Sequence, residues 1–187
     1  MIRRVLLLFC IGFALANNSQ ASSSASNQHQ WQGSVDYQVC FTPGDNCVKR
    51  LSHFIKQAKH SIFVQAYVFT SYDLANALIN AKKRGVKVNM IMDDSQLDPH
   101  FHSSQRVMKW FKKEAHMPIW IDQRDGLAHN KVMIIDRHIV ETGSFNYTYS
   151  AQKHNAENMI FLKGHQIASH YLNNWYRLKK HAKRLSD

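Results

Sequence analysis

"SIFVQAYVFTSYDLANALINAKKRGVKVNMIMDD", residues 61–94, decides the fold class. Its first nine residues and its last nine, "VKVNMIMDD", are apolar runs of strand length. Between them "YDLANALINAKKRG" reads as a helix, with Asp73 near its start and Gly85 near its end. Strand, helix, strand is the order that builds a parallel sheet with helices packed on its faces. Upstream, "SVDYQVCFT" (34–42) reads as a strand, and "NCVKRLSHFIKQAKH" (46–60) carries Val48, Leu51, Ile55 and Ala58 at helical spacing. Downstream, "SSQRVMKWFKKEA" (103–115) is a helix and "MPIWID" (117–122) a strand. "KVMIID" (131–136) and "HIVETG" (138–143) form a hairpin turning at Asp136 and Arg137. "YTYSAQKH" (147–154) gives one or two helical turns, "AENMIFLK" (156–163) a strand, and "HQIASHYLNNWYRLKKHAKRL" (165–185) a long amphipathic helix. The expected fold class is α/β: a mixed, largely parallel sheet flanked by helices on both faces.

The first 33 residues read differently. Arg3 and Arg4 precede "VLLLFCIGFALA", and Ala14 and Ala16 supply the small residues of a signal-peptidase site, so 1–16 is expected to be a signal peptide cleaved near Ala16. Twelve apolar residues fall short of the roughly 20 that span a bilayer, which predicts no membrane anchor after cleavage. The polar stretch 17–32, "NNSQASSSASNQHQWQ", is expected to be a flexible leader, and 33–187 the folded domain. The expected location is secreted or periplasmic. There the pair Cys40 and Cys47, bracketing "FTPGDN", is expected to form a disulfide; a metal site is the weaker alternative, because no second pair accompanies it.

Charge narrows the partner. The chain of 187 residues has 24 Lys and Arg against 13 Asp and Glu, a net +11, and loss of Arg3 and Arg4 would leave +9. Such a surface favours polyanions: DNA, RNA or anionic lipid headgroups. Several of the bases cluster in "YRLKKHAKRLSD" at 176–187.

"HNKVMIID" (129–136) puts a histidine and a lysine at the mouth of a strand. His129 and Lys131, two apart, share a face. "GSFN" (143–146) follows the next strand, and Glu157 opens the one after, so His129, Lys131, Ser144, Asn146 and Glu157 are placed to converge at one sheet edge. Phosphodiester cleavage has a use for each. Lys131, Ser144 and Asn146 donate to the equatorial oxygens of a phosphorane-like transition state. His129 titrates near neutrality and serves as nucleophile or acid, and Glu157 can fix its tautomer. No cofactor and no metal are required by this set.

At these residues the sequence resembles the phospholipase D superfamily. His129, Lys131 and Asp136 fit its H-x-K-x4-D signature, and Gly143, Ser144 and Asn146 fall where that family has its Gly-Ser and Asn. "ETGSFNYT" and "NAEN" are similar to its small secreted bacterial endonucleases, which carry one signature per chain. The resemblance implies that His129 forms a phosphohistidine and that His129 of a second subunit protonates the leaving group. It further implies that Lys131, Ser144 and Asn146 bind the phosphate and that Glu157 orients His129. Asp136, five residues beyond Lys131, belongs to the catalytic signature but is expected to act structurally. "HAKRLSD" (181–187) is no second signature: Asp187 comes one residue early and no Gly-Ser follows. A homodimer with one composite site is therefore expected. The expected activity is metal-independent endonucleolytic cleavage of DNA or RNA with little sequence specificity. A phospholipase D-type lipid hydrolase and a catalytically silent nucleic-acid-binding module are the alternatives. His100, His102, Asp93, Asp94 and Asp98 read as loop and capping residues rather than metal ligands.

Overall fold

A disulfide fixes the first corner of the molecule. The structure is a computed structural model that describes residues 34–185; the expected signal peptide and leader lie outside the described residues. Strand β1 (Asp36–Thr42) leads into helix α1 (Cys47–Gln57), and Cys40 is bonded to Cys47 with their Cα atoms 5.7 Å apart. Asn46 caps α1 by accepting from the Lys49 amide. Val48, Leu51 and Ile55 of α1, and Ala58 after it, are buried, as their spacing predicted.

Strand β2 (Ser61–Ala66), helix α2 (Tyr72–Lys83) and strand β3 (Lys87–Asp93) form the expected crossover, and β2 and β3 pair in parallel. Ser71 caps α2. Gly85, at φ 93°, turns the chain out of it, with the Val86 amide donating to the Ala81 carbonyl and Gly85 to Lys82. Two 3-10 turns (Asp94–Leu97 and Pro99–Phe101) lead to α3 (His102–Ala115) and β4 (Ile119–Asp122), which is parallel to β3. Strands β5 (Lys131–Ile135) and β6 (Ile139–Gly143) are the expected hairpin, with φ of 51° and 53° at Asp136 and Arg137. Helix α4 (Tyr149–Lys153), strand β7 (Glu157–Lys163), helix α5 (His165–Lys179) and strand β8 (Ala182–Arg184) complete the chain.

The strands make one mixed sheet in the order β1-β7-β6-β5-β2-β3-β4-β8, with α1 to α4 packed on one face and α5 on the other. Alternation along β2 serves both cores: Ile62, Val64 and Ala66 face the four helices, and Phe63 meets Leu172, Trp175 and Leu178 on the α5 side. The Trp175 indole N–H donates to the Val64 carbonyl at 3.0 Å. Among the described residues no helix is long and apolar enough to cross a membrane.

Two expectations are corrected. The sheet is mixed, but among the described residues only β2/β3 and β3/β4 are parallel and the other five strand pairings are antiparallel. Parallel neighbours need a crossover, and only α2 and α3 supply one; the later strands are joined by a hairpin and by links that reverse direction. The stretch 165–185 is not one helix: α5 stops at Lys179, and Ala182–Arg184 pairs antiparallel with β4. Leu178 is the last buried residue of α5, while Lys179 turns its ammonium over the Trp120 ring at 4.3 Å. The basic run beyond it packs only Ala182 and Leu185 against the cores and closes the sheet as a charged edge.

Candidate active site

Antiparallel pairing of β5 with β2 sets Lys131 opposite Ala66, so the start of β5 lies beside the end of β2. The end of β6 and the start of β7 reach the same edge, where Gly143 pairs with Met159. His129, Lys131, Ser144, Asn146 and Glu157 therefore gather at one edge of the sheet, as their sequence positions predicted.

His129 precedes β5 on an exposed segment and rests its ring against Tyr67, with centroids 4.6 Å apart. Its ring nitrogens have no hydrogen-bond partner among the described residues, and the imidazole is open to an incoming group. The segment is held on both sides of the histidine: the Ala128 amide donates to the buried Asp93 carboxylate, and the Tyr67 amide donates to the Asn130 carbonyl. Lys131 is 6% exposed and donates from Nζ to the His129 carbonyl at 2.7 Å. Burial lowers its pKa, and the nearby Glu157 carboxylate works against that shift. The ammonium also lies 5.2 Å from the Tyr67 ring centroid.

Across the edge, a Cβ on Gly143 would stand 2.2 Å from the Asn158 carbonyl oxygen, so the backbone approach here requires glycine. Through that gap the Ser144 amide donates to the Asn158 carbonyl, and Ser144 Oγ accepts from the Asn158 amide. Ser144 Oγ donates to Glu157 Oε2 at 2.5 Å, and Asn155 Nδ2 donates to Oε1 at 2.9 Å. Glu157 thus orients Ser144 rather than His129, contrary to the expectation above. The strand order explains it: β7 is next to β6, which delivers Ser144, and β5 with His129 lies one strand further on. Asn146 Oδ1 is buried without a hydrogen-bond partner among the described residues.

Asp136 is not brought into this group. It lies at the far end of β5, roughly 16 Å along the strand from Lys131. Its carboxylate accepts the backbone amides of Lys59, His60 and Ser61 at 2.9, 2.8 and 2.9 Å, tying the β5–β6 turn to the α1–β2 loop. In the loop after β3 two of the acids are capping groups: Asp93 accepts from the Ser95 amide and Asp98 from the His100 amide. Among the described residues no group of three or more His, Cys, Asp or Glu is placed to hold a metal ion. Sequence reasoning missed Tyr67, which it read as strand, the second use of Asp93, and Glu141 beneath the site. The signal for Tyr67 was its place at the end of the strand that pairs with the histidine strand.

A mixed sheet whose edge presents a histidine, a lysine and a Gly-Ser-x-Asn loop defines a phosphodiesterase of the phospholipase D type. The comparisons agree. Residues 51–179 match the family described as "Cardiolipin synthase, PLD-like domain". A Rickettsia felis protein named phospholipase D is 43% identical over 141 residues, covering 75% of this chain and 68% of its own. The mitochondrial cardiolipin hydrolase of Xenopus tropicalis is 28% identical over 134 residues, 72% of this chain and 61% of that one. The crystal structure of Nuc, a phospholipase D family member from Salmonella typhimurium, superposes with a TM-score of 0.76 at 31% identity, over 82% of this chain and 100% of that one. The chain belongs to the phospholipase D superfamily and is a phosphodiesterase hydrolase.

Proposed function

We propose that the protein is a metal-independent endonuclease that cleaves DNA or RNA with little sequence preference, at a site completed by a second copy of the chain. The observation that carries the reading is the exposed His129 imidazole, with no hydrogen-bond partner among the described residues, beside the buried Lys131 and one such histidine per chain. A ring nitrogen of His129 attacks phosphorus, forming a P–N bond as the P–O bond to the leaving group breaks. The imidazolium of His129 in the second copy gives its proton to the leaving oxygen. That second imidazole then takes a proton from water, which attacks the phosphohistidine and frees His129. Lys131 and Asn146 donate to the phosphoryl oxygens, and Ser144 joins them by turning to the phosphate the one proton that it gives to Glu157 in the free protein. Asp136 keeps the hairpin in place. The net charge of +11 supports a polyanionic substrate, and the Cys40–Cys47 disulfide supports an oxidising location, secreted or periplasmic, after removal of the signal peptide.

Hydrolysis of an anionic phospholipid is a second reading, favoured by the names of the Rickettsia felis and Xenopus tropicalis relatives. Wild type and His129→Ala, incubated in EDTA with plasmid DNA and separately with cardiolipin vesicles, decide between them. Plasmid nicking by wild type alone supports the nuclease. Headgroup release without nicking moves the protein to the lipid branch, and cleavage that stops in EDTA and returns with magnesium refutes the metal-free scheme.

A further inference from the structure

Beneath the Ser144 and Asn146 loop lies a polar pair that the chemistry above does not use. Glu141 is fully buried on β6, paired with Met133 of β5 and Phe161 of β7 in a layer that is otherwise apolar. Its Oε2 accepts from the hydroxyl of Tyr147, itself fully buried, at 2.8 Å, and the Met133 backbone amide also acts on the carboxyl, while Oε1 makes no close hydrogen bond among the described residues. A carboxyl group in such a place costs stability, and an apolar pair of similar shape would serve the core at least as well. Core packing alone does not account for Glu141.

The loop it underlies alternates. Phe145 and Tyr147 are buried in the core, and Ser144 and Asn146, which alternate with them, are exposed and half-buried at the site edge. One end of the loop is pinned by the Ser144 amide on the Asn158 carbonyl. At the other end, the Tyr147 carbonyl accepts the amides of Thr70 and Ser71, each at 2.9 Å. The Tyr147 hydroxyl bonded to Glu141 adds a third pin from below. A hydrogen bond fixes distance and direction in a way that an apolar contact does not.

We propose that Glu141 is a positioning residue: through Tyr147 it sets the depth of the 143–147 loop, and so where Ser144 and Asn146 meet the substrate phosphate. This rests on the phosphodiesterase reading of the site. Burial pushes the Glu141 pKa up to about 8, which keeps the carboxyl neutral at neutral pH and makes glutamine a close mimic.

The test uses bis(p-nitrophenyl) phosphate, which carries neither base nor lipid. Turnover by wild type that is lost in His129→Ala establishes the site; no turnover, or turnover that survives that change, overturns the site reading and this proposal with it. Given His129-dependent turnover, kcat, KM, Tm and inhibition by inorganic phosphate are measured for Tyr147→Phe, Glu141→Gln and the apolar pair Glu141→Leu/Tyr147→Phe. Tyr147→Phe is expected to lose roughly tenfold or more in kcat/KM and to bind inorganic phosphate more weakly, because a small misplacement of a binding group is costly. Glu141→Gln, whose amide oxygen still accepts from Tyr147, stays within about twofold of wild type. The apolar pair recovers the wild-type Tm but remains as slow as Tyr147→Phe. Wild-type kcat in Tyr147→Phe, or activity that returns with Tm in the apolar pair, leaves Glu141 a purely structural residue and overturns the proposal. If Tyr147→Phe does not fold, the apolar pair supplies the same readout.

Discussion

His129 and Asp136 belong to one sequence signature and do opposite work. His129 is exposed, with its ring unbonded among the described residues; Asp136 is saturated by three backbone amides at the other end of β5. Asp136→Ala leaves those donors without their acceptor and is predicted to cost about 2 kcal/mol, seen as a lower denaturation midpoint, with kcat unchanged wherever the variant is folded. A large loss of kcat in folded Asp136→Ala contradicts the structural assignment. Burial pushes the Asp136 pKa up, but the amides of Ser61, Lys59 and His60 outweigh it and hold the carboxyl below its usual 3.8. Its contribution to stability is therefore present above the ordinary carboxylate pKa and is lost as pH falls through the lowered native value. Glu141 has the opposite sign. With a native pKa of about 8 against 4.5 for a free glutamate, the folded state holds more protons between those values. Stability from this group is whole below about pH 4.5 and is lost as pH rises through about 8, so Glu141→Gln is predicted to flatten the fall in stability from pH 5 to 9 measured by chemical denaturation. A wild-type curve that rises over that range refutes it. Much of the site was legible because His129, Lys131, Ser144, Asn146 and Glu157 sit at strand ends that periodicity locates. Tyr67, Asp93 and the Glu141–Tyr147 pair were not, since each acquires its partner from a neighbouring strand or loop, which spacing along the chain does not reveal.

Elements were easiest to read where one period ran unopposed. The strand at 61–66, the helix at 72–83 and the strand at 87–93 combined strong apolar patterning with a cap and a stop glycine, and all three formed, although the first, expected over 61–69, stops at Ala66. Strand direction was harder, because alternation along a strand says which face is buried and nothing about its neighbour's orientation. At the C-terminus, the charged run after Leu178 fits an exposed helix or an exposed edge strand equally well, and the free edge of β4 decides for the strand. The β1–α1 corner depends on the disulfide. Closing so short a loop restricts the unfolded chain by about 2 kcal/mol, so Cys40→Ser/Cys47→Ser is predicted to lower Tm by several degrees while leaving kcat near wild type. An unchanged Tm would show that α1 and β1 are held by packing alone.

At the scale of the whole molecule, the proposed scheme uses one histidine as nucleophile and another for proton transfer, and with a single signature histidine, His129, in each chain it calls for two copies. Light scattering of active protein is predicted to give a dimer, and activity in a strictly monomeric species contradicts the shared site. The positive surface predicts that DNA binding weakens steeply between about 50 and 200 mM salt and differs little among sequences. A footprint confined to one sequence counts against that reading. The claim on which the rest depends is a two-step displacement through His129, and stereochemistry tests it most directly. A phosphodiester made chiral at phosphorus by sulfur substitution, cleaved in oxygen-18 water with EDTA present, is predicted to give net retention, the sum of two inversions at the phosphohistidine. Net inversion would mean that water attacks phosphorus directly, and His129 would then be an acid or base but no nucleophile.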